Sequence, residues 1–193
     1  MLKTLNNLCL AFLGESQARN RYSFFASVAR KNDYQQISAI FQETADQEKE
    51  HAKQLFNFIQ ELTKKNKIKN LFINKVEIPF QFGDTLANLK SAIAGETYEF
   101  TTMYPNFAKI ASQENLPSIA SKLFNIAKAE EHHRDRYLKL KVELEKGTLF
   151  KKDKTTTWVC RECGYRHIGK MPPEICPVCS HLQGFYQVEC EKY

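Results

Sequence analysis

Glu130-Glu131-His132-His133 repeats the Glu-x-x-His spacing of Glu48-Lys49-Glu50-His51, and each pair interrupts an otherwise apolar stripe. The later stripe runs Ile119, Leu123, Ile126, Glu130, His133, Tyr137, Leu140, Leu144; the earlier runs Ile37, Phe41, Thr44, Glu48, His51, Leu55, Phe58, Leu62. Steps of three and four are the seam of a helix bundle. Residues three apart project from one side of a helix, so each glutamate and its histidine share the core-facing side. Asp33 is placed as the N-cap of the earlier helix with Gln36 completing a capping box, and Pro117 suits the start of the later one.

Two further stripes precede and follow the first pair: Leu5, Leu8, Phe12, Glu15, Arg19, Tyr22, Ala26, Ala29, and Leu86, Leu89, Ile93, Glu96, Phe100, Met103, Phe107, Ile110. A stripe that only packs is apolar throughout, yet all four carry a glutamate near the middle. Uncompensated, each buried charge costs several kcal/mol, and like charges add to the cost. A bound cation cluster relieves both. One glutamate from each of two helices with Glu-x-x-His from each of the other two is the donor set of ferritin-like di-iron proteins. Carboxylate and imidazole suit iron or manganese better than a structural zinc site. A plain bundle with surface Glu–His pairs accounts for one pair, but not for both pairs and both lone glutamates in phase.

Short turns near Lys31 to Asp33 and Gln113 to Pro117 join antiparallel neighbours. Residues 65 to 84 form a connection of about 20 residues, read as the long crossover of a ferritin-like bundle. His132 is expected to face away because His133 faces in, and Cys9 to lie buried beside the first stripe.

Beyond residue 147 the composition changes. Four of the six cysteines lie between Cys160 and Cys179, in Cys160-Arg-Glu-Cys163-Gly-Tyr and Cys176-Pro-Val-Cys179. Two such knuckles make a tetrahedral thiolate site for iron or zinc, and a tail this short needs a staple. Trp158, Tyr165, Phe185 and Tyr186 are its candidate core. The expected organisation is a mainly α chain: a four-helix bundle over 1–147, a linker over 148–156 and a small β/knuckle domain over 157–193. Lys151, Lys152 and Lys154 suggest an extended, solvated linker leading away from the bundle.

The net charge of +6 is spread over both parts. The lysine clusters lack the interleaved aromatics of a base-stacking surface, so nucleic acid is not an expected partner. Met1 to Leu13 does not read as a signal peptide, no stretch is apolar enough to span a membrane, and paired CxxC motifs without a secretion signal point to the cytoplasm.

The tail resembles rubredoxin, and a carboxylate bundle before it resembles rubrerythrin. The likeness extends over Gly14-Glu15-Ser16-Gln17-Ala18, Glu48-Lys49-Glu50-His51, Ala94-Gly95-Glu96-Thr97-Tyr98-Glu99, Ala129-Glu130-Glu131-His132-His133 and the tetracysteine segment. It implies two irons in the bundle and one held by Cys160, Cys163, Cys176 and Cys179, with zinc as a possible substitute there. It further implies that Glu48 and Glu130 bridge the irons, that Glu15 holds one and Glu96 with His133 the other, and that Glu99 and His51 alternate on the first. Glu99, three residues after Glu96, lies on nearly the same face and is an additional carboxylate. Tyr22 and Tyr104 resemble the family's tyrosines near the iron pocket, whereas spacing alone favours core packing with a satisfied hydroxyl for both.

The implied activity is reduction of hydrogen peroxide to water in oxidative stress defence. Electrons come from rubredoxin or an NAD(P)H-dependent reductase, and the unit is a homodimer or higher homo-oligomer. A ferroxidase or iron-storage role, and a structural bundle with a zinc-ribbon interaction module, are the competing readings. A storage role leaves the thiolate tail without a purpose.

Overall fold

The computed structural model describes residues 3–74 and 76–191; Met1 and Leu2, where the segment read against a signal peptide begins, lie outside them. Helices α1 (Lys3–Lys31) and α2 (Gln35–Lys65) form an antiparallel hairpin. After the crossover come α3 (Thr85–Tyr98), a π-helical turn (Glu99–Met103) and α4 (Tyr104–Gln113), which together make the third rod, and then α5 (Pro117–Glu145). The tail is a three-stranded antiparallel sheet in the order β2-β1-β3, built from β1 (Thr156–Cys160), β2 (Arg166–Gly169) and β3 (Tyr186–Val188).

The bundle helices end alike. Asp33, Lys67, Asn115 and Gly147 adopt left-handed backbone conformations. The next amide reaches back to Ala29, Thr63, Ala111 and Glu143 respectively, the hydrogen bond of a Schellman motif. This overturns the expected capping by Asp33: it terminates α1 at φ 60°, and α2 begins after Tyr34 without a side-chain cap. A residue already spent on closing one helix is turned away from the first amides of the next.

The crossover is partly anchored. Ile68, Leu71 and Ile73 pack on the bundle core, and Asn88 clasps Gly83 through both backbone groups at 2.9 Å. Asp84 then caps α3 by accepting from the Ala87 amide.

The buried stripes of α2 and α5 follow the expected positions closely. The third rod departs from expectation. Before the turn Leu89 and Glu96 of the expected stripe are buried, with Leu86 and Ile93 partly so; beyond it Tyr104 and Ala111 are buried, while Met103, Phe107 and Ile110 are only partly so. The cause is the π turn, in which the Tyr104 amide bonds the Glu99 carbonyl. One residue more than an α turn moves every later side chain on by one position. Thr97 and Thr101 hydroxyls bond the carbonyls of Ile93 and Thr97 at 2.6 Å, satisfying acceptors around the disturbed turn.

The segment read as an extended linker instead folds back on the bundle. Leu149 is buried in the bundle core, and Phe150 stacks on Tyr34 with ring centroids 6.3 Å apart while also touching the tail's core. Lys152 pairs with Glu143. Burial of two large apolar side chains outweighs the solvation of a few exposed lysines.

Candidate metal centre

Four carboxylates and two imidazoles converge at mid-height of the bundle. Glu15, Glu48, Glu96 and Glu130 are at most 1 % exposed. Glu48 presents Oε2 to His51 Nδ1 at 2.8 Å and Oε1 to His133 Nδ1 at 3.1 Å. Glu130 does the same, with Oε1 2.9 Å from His51 Nδ1 and Oε2 2.8 Å from His133 Nδ1. Each of these carboxylates therefore spans the gap between the two histidines. Glu15 groups with Glu48, Glu130 and His51, and Glu96 groups with Glu48, Glu130 and His133; within each group the donor atoms lie within 4.8 Å of one another.

The cluster is unsatisfied as a hydrogen-bonded assembly. Glu15 Oε2, Glu48 Oε1, Glu96 Oε2, both Glu130 oxygens and His133 Nδ1 are buried without a well-formed hydrogen bond. Buried polar atoms in a folded protein are otherwise paired almost without exception. Orphaned lone pairs on hard oxygen and imidazole donors, arranged in two overlapping groups that share two carboxylates, fit a pair of iron ions.

The electrostatics agree. Burial, with the charges of Glu48 and Glu130, pushes Glu15 well above the usual carboxylate range. Burial also lifts Glu96 to about 8, although its contact with His133 opposes the rise. Burial disfavours both imidazoliums, but the close carboxylates of Glu130 and Glu48 outweigh it, raising His51 to about 10 and His133 to about 12. Protons thus take up the negative charge that metal ions would otherwise neutralise.

Both singled-out tyrosines touch the cluster. Tyr22 donates to Glu96 Oε1 at 2.5 Å, and the Tyr104 hydroxyl donates to Glu15. Burial, followed by the adjacent Glu96 or Glu15, raises both phenols well above their ordinary value. They therefore serve as fixed donors to the two outer carboxylates. Tyr104 reaches Glu15 because the π turn rotates it inward. Beneath Tyr22, Phe25, Phe41 and Tyr137 form an aromatic floor with ring centroids 5.0–6.0 Å apart.

Glu99 stands apart from both donor groups. It sits in the π turn and lines a cavity between α1 and α3 together with Arg21 and Tyr22. Burial, then the charges of Glu96 and Glu130, pushes its carboxyl well above the usual range. His51 occupies the cluster while Glu99 lies beside it. His132 is exposed, as expected of the residue beside an inward His133, and Cys9 is buried beside the first stripe. Arg21, which also lines this cavity, lies outside every quoted motif, and Gln17, which lines it too, falls within the Gly14–Ala18 likeness without a role assigned from sequence.

In the tail, two knuckles are related by a shift along the chain. The Cys160 and Cys176 amides bond the carbonyls of Tyr165 and His181. Their own carbonyls accept from Gly164 and Ser180, both at positive φ. The Sγ atoms of Cys160 and Cys179 are 3.7 Å apart and those of Cys163 and Cys176 3.6 Å apart. A tetrahedron with metal–sulfur bonds of about 2.3 Å has edges of about 3.8 Å, so the four thiolates fit one metal ion.

The family described as Rubrerythrin matches residues 6–141, and that described as Rubrerythrin, rubredoxin-like domain matches residues 158–187. The putative rubrerythrin of Methanocaldococcus jannaschii is 51 % identical over 100 % of this chain and 96 % of its own. The rubrerythrin of Porphyromonas gingivalis is 43 % identical over 96 % of this chain and 89 % of its own. Partially reduced nigerythrin superposes with a TM-score of 0.63 at 29 % identity, covering 96 % of this chain and 86 % of that one. A bacterioferritin of Mycobacterium tuberculosis, at 18 % identity and a TM-score of 0.63 over 76 % of this chain and 89 % of its own, shares the fold. No helix among the described residues is long and apolar enough to cross a membrane. Matches that run nearly end to end place the chain in the rubrerythrin family, so that the buried cluster is a di-iron site and the four thiolates the rubredoxin-like centre of an oxidoreductase.

Proposed function

We propose that this protein is a non-haem peroxidase that reduces hydrogen peroxide to water, with electrons relayed through the tetracysteine iron centre, in defence against oxidative stress. The observation that carries the proposal is the placement of Glu99 beside the di-iron donors but outside them, while His51 is inside. A site that only stores iron has no use for a spare carboxylate next to an exchangeable imidazole. A two-electron reduction does, because the preferred donors change as charge leaves the site.

In this reading Glu48 and Glu130 would be shared between the two irons, Glu15 with His51 or Glu99 would hold one, and Glu96 with His133 would hold the other. When bound, the iron pair supplies two electrons to the oxygen–oxygen bond. The chain's own residues do the rest. Tyr104 and Tyr22 keep their protons at the hydroxyl oxygen and orient Glu15 and Glu96. Burial and the neighbouring carboxylates push the Glu99 carboxyl toward its neutral form beside the cavity. The apolar shell excludes bulk water and strengthens each of these contacts. The balance is hydrogen peroxide plus two electrons and two protons to two waters. The donor is rubredoxin or an NAD(P)H-dependent reductase, the compartment the cytoplasm and the unit a homodimer or larger.

The test is anaerobic NAD(P)H oxidation by the iron-loaded protein with a rubredoxin reductase and rubredoxin, started with hydrogen peroxide. Peroxide-dependent turnover, lost in Cys163→Ser, is the expected result. Iron(II) oxidation by dioxygen without peroxide turnover would favour the ferroxidase reading instead.

A further inference from the structure

The cavity between α1 and α3 measures about 950 Å³. Hydrogen peroxide, close to water in size, would occupy only a small part of that, since a water takes up about 30 Å³. The space exists because the facing residues are small: Gly14 and Ala18 on α1, Ala94 and Gly95 on α3. The outer wall is different in kind. Pro79 and Phe82 of the crossover and Tyr98 of α3 contribute broad apolar surface, and the Phe82 and Tyr98 side chains are exposed in the free chain. The inner end is polar and adjoins the reaction centre. Tyr22, which donates to Glu96, and Glu99 both line it. Arg21 and Gln17 line it too, and Arg21 Nε and Gln17 Oε1 are buried without hydrogen-bond partners.

An apolar vestibule leading to a polar end with unused donor and acceptor atoms matches a molecule with a hydrocarbon body and a polar oxygenated head. We infer that this cavity admits organic hydroperoxides of small aryl or alkyl type, and that the protein reduces them as well as hydrogen peroxide. The inference rests on the peroxidase reading. The step is ROOH plus two electrons and two protons to ROH and water: the oxygen–oxygen bond breaks, the distal oxygen leaves as water and the carbon-bound oxygen leaves as the alcohol. The electrons come from the same rubredoxin-type donor. The hydrocarbon body lies against Phe82 and Tyr98, and Arg21 and Gln17 face the hydroperoxy group.

The experiment compares cumene hydroperoxide with hydrogen peroxide as substrates of the iron-loaded full chain under donor-driven turnover, in wild type, Ala94→Leu and Ala94→Phe. Ala94 lines the cavity on the exposed side of α3 and touches none of the cluster residues' hydrogen bonds. Wild type should reduce both substrates. Filling the cavity should lower kcat/KM for cumene hydroperoxide about tenfold or more, and more for Phe than for Leu, with hydrogen peroxide changed less than about threefold. Binding of cumyl alcohol to the wild-type protein, followed by calorimetry, gives a readout that needs neither variant and should saturate. Reduction of hydrogen peroxide without cumene hydroperoxide turnover overturns this inference alone, as do equal losses for both substrates in the variants or absence of cumyl alcohol binding. Failure to reduce either substrate overturns the peroxidase reading and this inference with it.

Discussion

Gly184 packs directly against the backbone of Asp33: a β-carbon on Gly184 would overlap the Asp33 carbonyl oxygen and lie 2.7 Å from its carbonyl carbon. The contact joins the 3-10 turn Gln183–Phe185 of the tail to the left-handed residue that ends α1. Two irregular turns therefore meet through Asp33 backbone atoms, which cannot swing aside as the end of a flexible side chain can. Gly184→Ala should weaken docking of the tail by about 1–3 kcal/mol, the usual cost of overpacking. Limited proteolysis should then cut faster within residues 148–156, with the visible spectrum of the iron-loaded tetracysteine centre unchanged. Wild-type proteolysis rates would show that the docked contact is not used in solution.

Three iron atoms per chain are expected in protein purified without added metal, two in the cluster and one in the tail. Cys163→Ser should remove the red colour of ferric thiolate. The helical content should stay nearly intact, because among the described residues the tail's core of Trp158, Cys160, Cys176 and Tyr186 shares only Phe150 with the bundle cores. Elemental analysis and circular dichroism decide it. Zinc in the native tail would sink the electron relay.

Glu99→Ala should leave two irons bound, since both donor groups are complete without it. Peroxide-driven reoxidation should nevertheless slow by about 10²-fold or more, within the range seen when one charged group acting on the reaction is removed. Stopped-flow reoxidation at wild-type speed would reduce Glu99 to a spectator charge.

Metal loading should release protons. Glu96 titrates at about 8, His51 at about 10 and His133 at about 12, so at neutral pH each carries a proton that an incoming ion must displace. Glu48, lowered to about 2 by its histidine contacts against the opposing effect of burial, stays ionised. Iron(II) affinity of the metal-free protein should therefore rise with pH and fall as pH drops below 8. Calorimetry in buffers of different ionisation enthalpy should register net proton release as the di-iron cluster fills. A pH-independent affinity would contradict the protonated cluster.

Electrons are expected to reach each di-iron site from the tail of a partner subunit. The tail docks at the α1–α2 turn, where Ser38 and Arg161 line one cleft, and Glu48 lies ten residues further along α2, a rise of about 15 Å. Head-to-tail pairing with a second copy would offer a shorter route. Mixing Cys163→Ser with Glu130→Ala under subunit exchange should restore donor-driven peroxidase activity. Proven heterodimers without recovered activity would defeat the idea.

Much of this architecture was already legible in local patterns. A 3.6-residue period is a property of the chain itself, so Glu15, Glu48, Glu96, Glu130 and His133 could be set on inward faces before any packing was known. The cysteine knuckles were equally local, since Cys160 to Gly164 and Cys176 to Ser180 close their own backbone hydrogen bonds.

What only the tertiary structure decided were features that depend on two distant segments or on a break in the period. The π turn at Glu99–Met103 adds one residue that no periodic reading anticipates, and it alone brings Tyr104 to Glu15 while leaving Glu99 outside the donor groups. Docking of the tail came from Phe150 on Tyr34 and Gly184 on Asp33, pairs far apart in sequence whose contact depends on shape rather than residue type. The cavity beside Glu99 belongs to the same class: small residues on α1 and α3 do not announce a space until the helices are seen to stand apart. Donor identity is chemistry carried by each residue, whereas rotation, docking and empty volume are relations among residues, and those exist only once the chain has folded.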